Sequence, residues 1–175
     1  MGKRVLLFLT MLGLSGCSGP VETRILSSGQ GINASISIAD TAPAAAPLHA
    51  KAQELAIAGL QKRVGLLPGA SSHQLVVTLS ERPAAIALRA GTQQAARVIA
   101  AAKRRKLLQN CEDREFRLSI VMTRIADGIE SYRGEASEYH CKASIEESLP
   151  HLVDAALSDL RAPQGSHLLT RKGRD

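Results

Sequence analysis

The chain has 175 residues, 45% of them hydrophobic and 22% charged, which excludes a wholly disordered protein and fits one ordinary domain. Aromatic residues make up 2% and tryptophan is absent, so the core has to be built from aliphatic side chains and alanine. A formal charge of +6 is modest, and beyond the first segment only Phe116, Tyr132 and Tyr139 could stack on bases, so no nucleic-acid partner is expected.

Residues 1–16 read as an export signal. Lys3 and Arg4 form a positive start, and Val5 to Leu14 are almost wholly apolar but too short to span about 30 Å of hydrocarbon. The junction Leu14-Ser15-Gly16-Cys17 then resembles the lipobox of bacterial lipoprotein precursors. That resemblance implies acylation of the Cys17 sulfur, cleavage just before it, and a membrane partner held through N-terminal acyl groups. Loss of Lys3 and Arg4 lowers the formal charge to +4. Each buried methylene contributes about 0.8 kcal/mol, so several chains anchor a protein durably. Ser18 stands where the family's inner-membrane retention signal carries Asp. The expected location is therefore the inner leaflet of the outer membrane, facing the periplasm.

Residues 17–22 are read as anchor and short tether, 23–162 as one domain and 163–175 as a frayed tail. Thr23 to Ser27 and Ala34 to Ile38 are two short β-like runs around Gly29-Gln30-Gly31, which suggests a hairpin. After the Ala/Pro stretch from Asp40, Pro47 opens a helix to about Val64, with Leu48, Ala52, Leu55, Gly59 and Leu60 on one face and Gly65 as its stop. Leu75, Val77 and Leu79 alternate as a half-buried strand that ends at Glu81-Arg82-Pro83.

Ala84 to Leu88 fits a strand or a short helix. Thr92 followed by Ala95, Val98, Ile99 and Ala102 predicts a capped helix running into Lys103-Arg104-Arg105-Lys106, four cations that suit a helix C-terminus. Around Ala126-Asp127-Gly128, a three-residue hairpin loop puts Phe116, Leu118, Ile120 and Met122 on one face with Tyr132, Gly134 and Ala136. This register pairs Met122 with Tyr132, Ile120 with Gly134, Arg124 with Glu130 and Ile125 with Ile129. Leu149, Leu152, Val153, Ala156, Leu157 and Leu160 mark an amphipathic helix, capped either by Ser148 or, in a capping box with Glu147, by Ser144 and kinked at Pro150.

Besides Cys17, two cysteines remain. Cys111 and Cys141 flank the hairpin as diagonal neighbours, and an oxidising compartment predicts one disulfide between them. His140 beside them is a weak metal alternative lacking paired ligand spacing. Ser71-Ser72-His73 lacks a nucleophile elbow and reads as a loop, its side chains alternating between faces. Glu112, Asp113, Glu115, Glu146 and Glu147 read as strand-end and helix-start charge, while His49, His151 and His167 show no partner set. Asn33-Ala34-Ser35 matches a glycosylation sequon, which a bacterial lipobox makes fortuitous.

These readings combine into an α+β fold, a small antiparallel or mixed sheet with a C-terminal β-hairpin covered by two or three helices. Tyr132-Arg133-Gly134-Glu135-Ala136 followed by an amphipathic helix is similar to small bacterial α+β envelope lipoproteins, a resemblance that supplies no catalytic residues. The expected role is a non-enzymatic envelope assembly or interaction protein, without catalytic residues, metal or cofactor. A periplasmic binding module for lipid or another apolar ligand, and a periplasmic hydrolase, are the alternatives. Lys103, Arg104, Arg105 and Lys106 are the candidate electrostatic site, for anionic lipid or an acidic envelope protein, set against a solvated charged face.

Overall fold

A computed structural model of the chain describes residues 19–39, 46–90, 97–103 and 111–173. Its elements, in chain order, are β1 (Gly19–Gly29), α1 (Pro47–Arg63), β2 (His73–Pro83), β3 (Leu88–Ala90), β4 (Arg97–Ala100), β5 (Arg114–Arg124), β6 (Glu130–His140), α2 (Ile145–Ala156) and β7 (Gly165–Gly173). The fold is α+β. Five strands form one antiparallel sheet in the order β2-β5-β6-β1-β7, and β3 and β4 form a separate two-stranded ribbon.

Strict alternation builds the central strands. Phe116, Leu118, Ile120 and Met122 of β5 are buried on the face that β6 completes with Tyr132, Gly134 and Ala136, and β1 adds Val21 and Ile25. Both helices cover this face, α2 against β5, β6 and β1, and α1 against β2 and α2. Helix α1 buries Ala52, Ala56 and Leu60, and its Gly59 lies against Leu157 and Val153. A side chain at Gly59 would press on Leu157 within 2.7 Å.

The Tyr132-Arg133-Gly134-Glu135-Ala136 run is a packing device. Tyr132 donates a hydrogen bond to the Ala156 carbonyl at the end of α2 (2.6 Å), and any Cβ at Gly134 would collide with that same oxygen. Burial, with the Asp159 charge adding to it, pushes the Tyr132 hydroxyl pKa up and keeps it a donor. Ser144 caps α2 in a capping box with Glu147, which decides between the two predicted starts, and Pro150 lies inside the helix.

The β5–β6 register is the predicted one from Met122↔Tyr132 and Ile120↔Gly134 outwards. At the loop it differs. A bulge pairs Thr123 with Glu130, and Arg124 faces Ile129, so four residues turn the chain and Gly128 takes its left-handed conformation (φ 69°). Ser131 is the extra residue, turned so that its carbonyl accepts the Gln30 and Gly31 amides at 3.0 and 3.1 Å.

Four further expectations are corrected. Thr23 to Ser27 does not pair with Ala34 to Ile38: after Gly29 and Gly31 the chain crosses to the helix layer, where Ile32 bonds Leu160, and Ile36 and Ile38 make parallel bridges to Leu66 and His73. The frayed tail is instead β7, paired with β1 along its length, so the domain runs beyond residue 162. Its Ser-His-Leu-Leu-Thr-Arg-Lys sequence lacks apolar alternation because polar contacts hold its inner face. The first strand also begins at Gly19 rather than Thr23. Finally, Arg97–Ala100 is a strand and not part of a helix. Val98 is exposed and β-branched, which favours an extended backbone there. The proposed cap Thr92 lies outside the described residues, and Ala84 to Leu88 turns into β3.

Candidate interaction site

Strand registers bring one row of residues across the sheet: Glu81, Phe116, Glu138, Thr23 and Leu169. This end of the sheet is where β1 begins, β2 ends and Cys111 bonds Cys141, their Cα atoms 5.6 Å apart. The predicted disulfide therefore closes the open end of the β5–β6 hairpin, and its sulfurs are not available to a metal with His140.

On the helix side, Glu138 is fully buried. Thr23 Oγ1 donates to it at 2.5 Å, Arg171 Nε and Nη2 at 3.1 and 2.7 Å, and His140 Nε2 lies 2.7 Å away. Burial pushes the carboxyl pKa up, yet the hydrogen bonds from His140, Arg171 and Thr23 and the Arg171 charge outweigh it and hold the group down at about 2. Ser148 Oγ is 3.1 Å from the same His140 nitrogen, and the ring stacks on Phe116. One nitrogen cannot donate to the carboxylate and take a proton from the serine at once. Ser148, His140 and Glu138 thus form a structural knot and not a nucleophile–base–acid relay.

On the opposite side, Glu115 is buried between Arg82 and Arg117, and Arg117 continues to Glu135 at 2.7 Å. Arg82 also donates to the Ile86 carbonyl and to the Ala101 carbonyl (3.4 Å), one on each side of the β3–β4 ribbon. Lys103 completes the root. Its ammonium pairs with Asp113 at 2.8 Å and sits 4.7 Å above the Tyr139 ring, and its amide bonds the Ala84 carbonyl. Between this strap and β1 lies an open cleft of about 560 Å³ lined by Pro20, Glu22, Arg24, Ala102, Lys103 and Tyr139 among others.

Of the predicted basic site, Lys103 is therefore placed at a strand exit, where it fastens the ribbon, and not at a helix end. Arg104, Arg105, Lys106 and Cys17 lie outside the described residues. Ser72 and His73 differ from expectation: Ser72 Oγ reaches His73 Nδ1 at 2.9 Å. The hydroxyl is also engaged with Ser37, donating to its carbonyl at 3.0 Å and accepting its amide at 3.1 Å. Burial and the Arg124 charge lower the His73 pKa. This cross-brace fixes the segment around Ser37 to the start of β2. Asp113 and Glu115 serve the ribbon root, Glu147 caps α2, and Glu112, Glu146 and His151 are exposed. His49 is half-buried in α1, and His167 approaches Asp159 at 3.6 Å.

Sequence reasoning missed the Glu138 knot and the Arg82–Glu115 pair. Glu138 carried a signal: it falls on the buried parity of β6, after Tyr132, Gly134 and Ala136, where a charge requires a partner. Among the described residues, no cluster of His, Cys, Asp or Glu could hold a metal ion, and no helix is long and apolar enough to cross a membrane.

No protein-family model and no curated protein matches the chain. Among solved structures, the fold is similar to a PDZ domain protein from Parabacteroides distasonis, at 8% identity and a TM-score of 0.55 over 87% of this chain. The chain spans 39% of that protein's length, and the likeness concerns the fold alone. PelC dodecamer structures from Paraburkholderia phytofirmans align at 12% identity with TM-scores of 0.44 and 0.46, over 81% of this chain and 99% of theirs.

Proposed function

We propose that the chain is a bacterial lipoprotein acting as a non-enzymatic assembly or interaction protein of the cell envelope. Acyl groups on Cys17 hold it at the inner leaflet of the outer membrane, and its domain faces the periplasm. The observation that carries this reading is the Leu14-Ser15-Gly16-Cys17 junction, two residues ahead of a domain that begins at Gly19. The Cys111–Cys141 disulfide supports an oxidising compartment. The buried polar groups support a non-enzymatic role, because Glu138, His140 and Ser148 are directed at one another within the core.

The test replaces Cys17 with Ser. Wild-type protein should fractionate with membranes and yield an N-terminal peptide carrying acyl mass, whereas the Cys17→Ser variant should be unprocessed or soluble. Wild-type protein without acyl mass, or a variant cleaved and retained like wild type, would defeat the reading.

A further inference from the structure

The β3–β4 ribbon has no place in the core, yet its root is built with care. Arg82 bonds a carbonyl on each side of it and pairs with buried Glu115, while Lys103 pairs with Asp113 and covers Tyr139. Beyond that root, Ile86, Leu88 and Val98 are 54%, 43% and 48% exposed, and Arg89 is exposed beside them. A two-stranded ribbon with unburied apolar side chains is marginal in water. Its fixed base and bare body are the features of an element that completes itself against something else.

Charge identifies what that is. Residues 84–110 contain six Lys and Arg and no Asp or Glu, with Arg89, Arg97 and Lys103 among the described residues, so this segment carries +6 while the rest of the chain after loss of Lys3 and Arg4 sums to −2. Position narrows it further. The ribbon leaves β2 at the end of the sheet where β1 enters, and Pro20 and Lys103 line one cleft. Cys17 precedes Gly19 by two residues, a reach of roughly 7 Å when extended. A lipid on Cys17 therefore brings head groups to the ribbon's root.

We propose that the β3–β4 ribbon is an interfacial arm that sets Ile86, Leu88 and Val98 into the surface of an anionic bilayer beside the lipid anchor. The inference rests on the reading of Cys17 as acylated. Apolar side chains flanked by cations match the boundary between acyl chains and phosphates, and each cation near such a surface strengthens binding roughly fivefold at low salt. The arm would then orient the domain on the membrane, which a flexible acyl group alone does not do.

The absence of tryptophan supplies the probe. Acylated protein carrying Leu88→Trp or Val98→Trp is reconstituted in vesicles of phosphatidylcholine with roughly one third phosphatidylglycerol, and in neutral phosphatidylcholine vesicles. Val76→Trp, on the outer face of β2 and 46% exposed, is the control. In anionic vesicles, Leu88→Trp and Val98→Trp should shift to the blue and be quenched by brominated acyl chains, with both effects weakened in neutral vesicles. Val76→Trp should do neither. Circular dichroism of each variant confirms its fold before the comparison.

Probes at 88 and 98 that stay as water-exposed as the probe at 76 would overturn the proposal. So would probes that respond only when an acidic envelope protein is added. Mass analysis of the N-terminal peptide separates this from failure of the anchor: if Cys17 carries no acyl mass, the anchor reading falls. The same variants added to preformed anionic vesicles then decide the arm by itself, insertion supporting it and its absence overturning it.

Discussion

The central hairpin carries one buried glutamate on each face, and the two do different work. Glu138, on the helix side, is enclosed by Thr23, His140 and Arg171, and through Arg171 it fastens the last strand, β7, to the core. Glu115, on the open side, is held by Arg82 and Arg117, and through Arg82 it fastens the ribbon between β2 and β5. In both cases an arginine from a peripheral segment reaches a carboxylate rooted in the most regular part of the sheet. The difference is what is being held. β7 completes the five-stranded sheet, whereas the ribbon is a separate two-stranded sheet, so one glutamate serves stability and the other serves position.

The strongest test of this contrast is Glu138→Ala. It leaves fully buried His140, and Arg171 beside it, without their carboxylate, and removal of one partner from a buried pair costs about 3 to 5 kcal/mol. Urea denaturation should show that loss, and hydrogen exchange should rise in Gly165–Gly173 while the ribbon is unchanged. The pH dependence follows from the lowered pKa. Because the folded carboxyl titrates at about 2 and an unfolded one near 4.5, its contribution is complete above about pH 4.5 and is lost as pH falls towards 2. A shift of that size corresponds to roughly 3 kcal/mol. Glu138→Gln should flatten the stability profile over that window, and a profile as steep as wild type would remove Glu138 as its source.

Next in size is the disulfide, which serves as a control because it closes the hairpin that carries both glutamates. Cys141→Ser should lower stability by about 3 to 4 kcal/mol in the chain-entropy account of a loop this long. Exchange should increase at the open end of β5 and β6 without singling out β7 or the ribbon, and membrane fractionation should not change. Two free thiols in protein isolated from cells, found by alkylation and peptide mapping, would show that the bond does not form.

Legibility in the sequence divides along a physical line. Where burial alternates, as in β5, β6 and β2, or recurs with helical spacing, as in α2, the elements could be read directly. Met122 pairs with Tyr132 because a one-residue slip would bury Arg133. The bulge at Ser131 was not readable, since it depends on Gln30 and Gly31, a hundred residues away. β7 escaped notice because its inward side chains His167 and Arg171 are polar and answer Asp159 and Glu138. The ribbon escaped because its alanines and cations imitate a helix, while the exposure of Leu88 and Val98 is not visible in the sequence. Of the candidate site, the basic run was visible as charge, but the pairing of Lys103 with Asp113 and Tyr139 required the fold.

The smallest effect should come from Glu115→Gln, and its pattern matters more than its size. Arg82 and Arg117 side chains are 13% and 24% exposed, and Arg117 keeps Glu135, so both can regain water or a remaining partner when the charge is lost. Loss of the charge-assisted Arg117 bond and the Arg82 ion pair costs about 1.5 to 3 kcal/mol. Glutamine also preserves the shape of the site and accepts one bond, so the sheet should stay intact. What should change is the ribbon: with Arg82 released from the carboxylate, its bonds to the Ile86 and Ala101 carbonyls lose their fixed origin, and proteolysis and hydrogen exchange over residues 84–103 should rise. β7 should remain protected, the reverse of Glu138→Ala. Equal protection of the ribbon in wild type and Glu115→Gln would mean that Lys103 and its Asp113 pair hold the root alone, and the two glutamates would no longer form matched clamps.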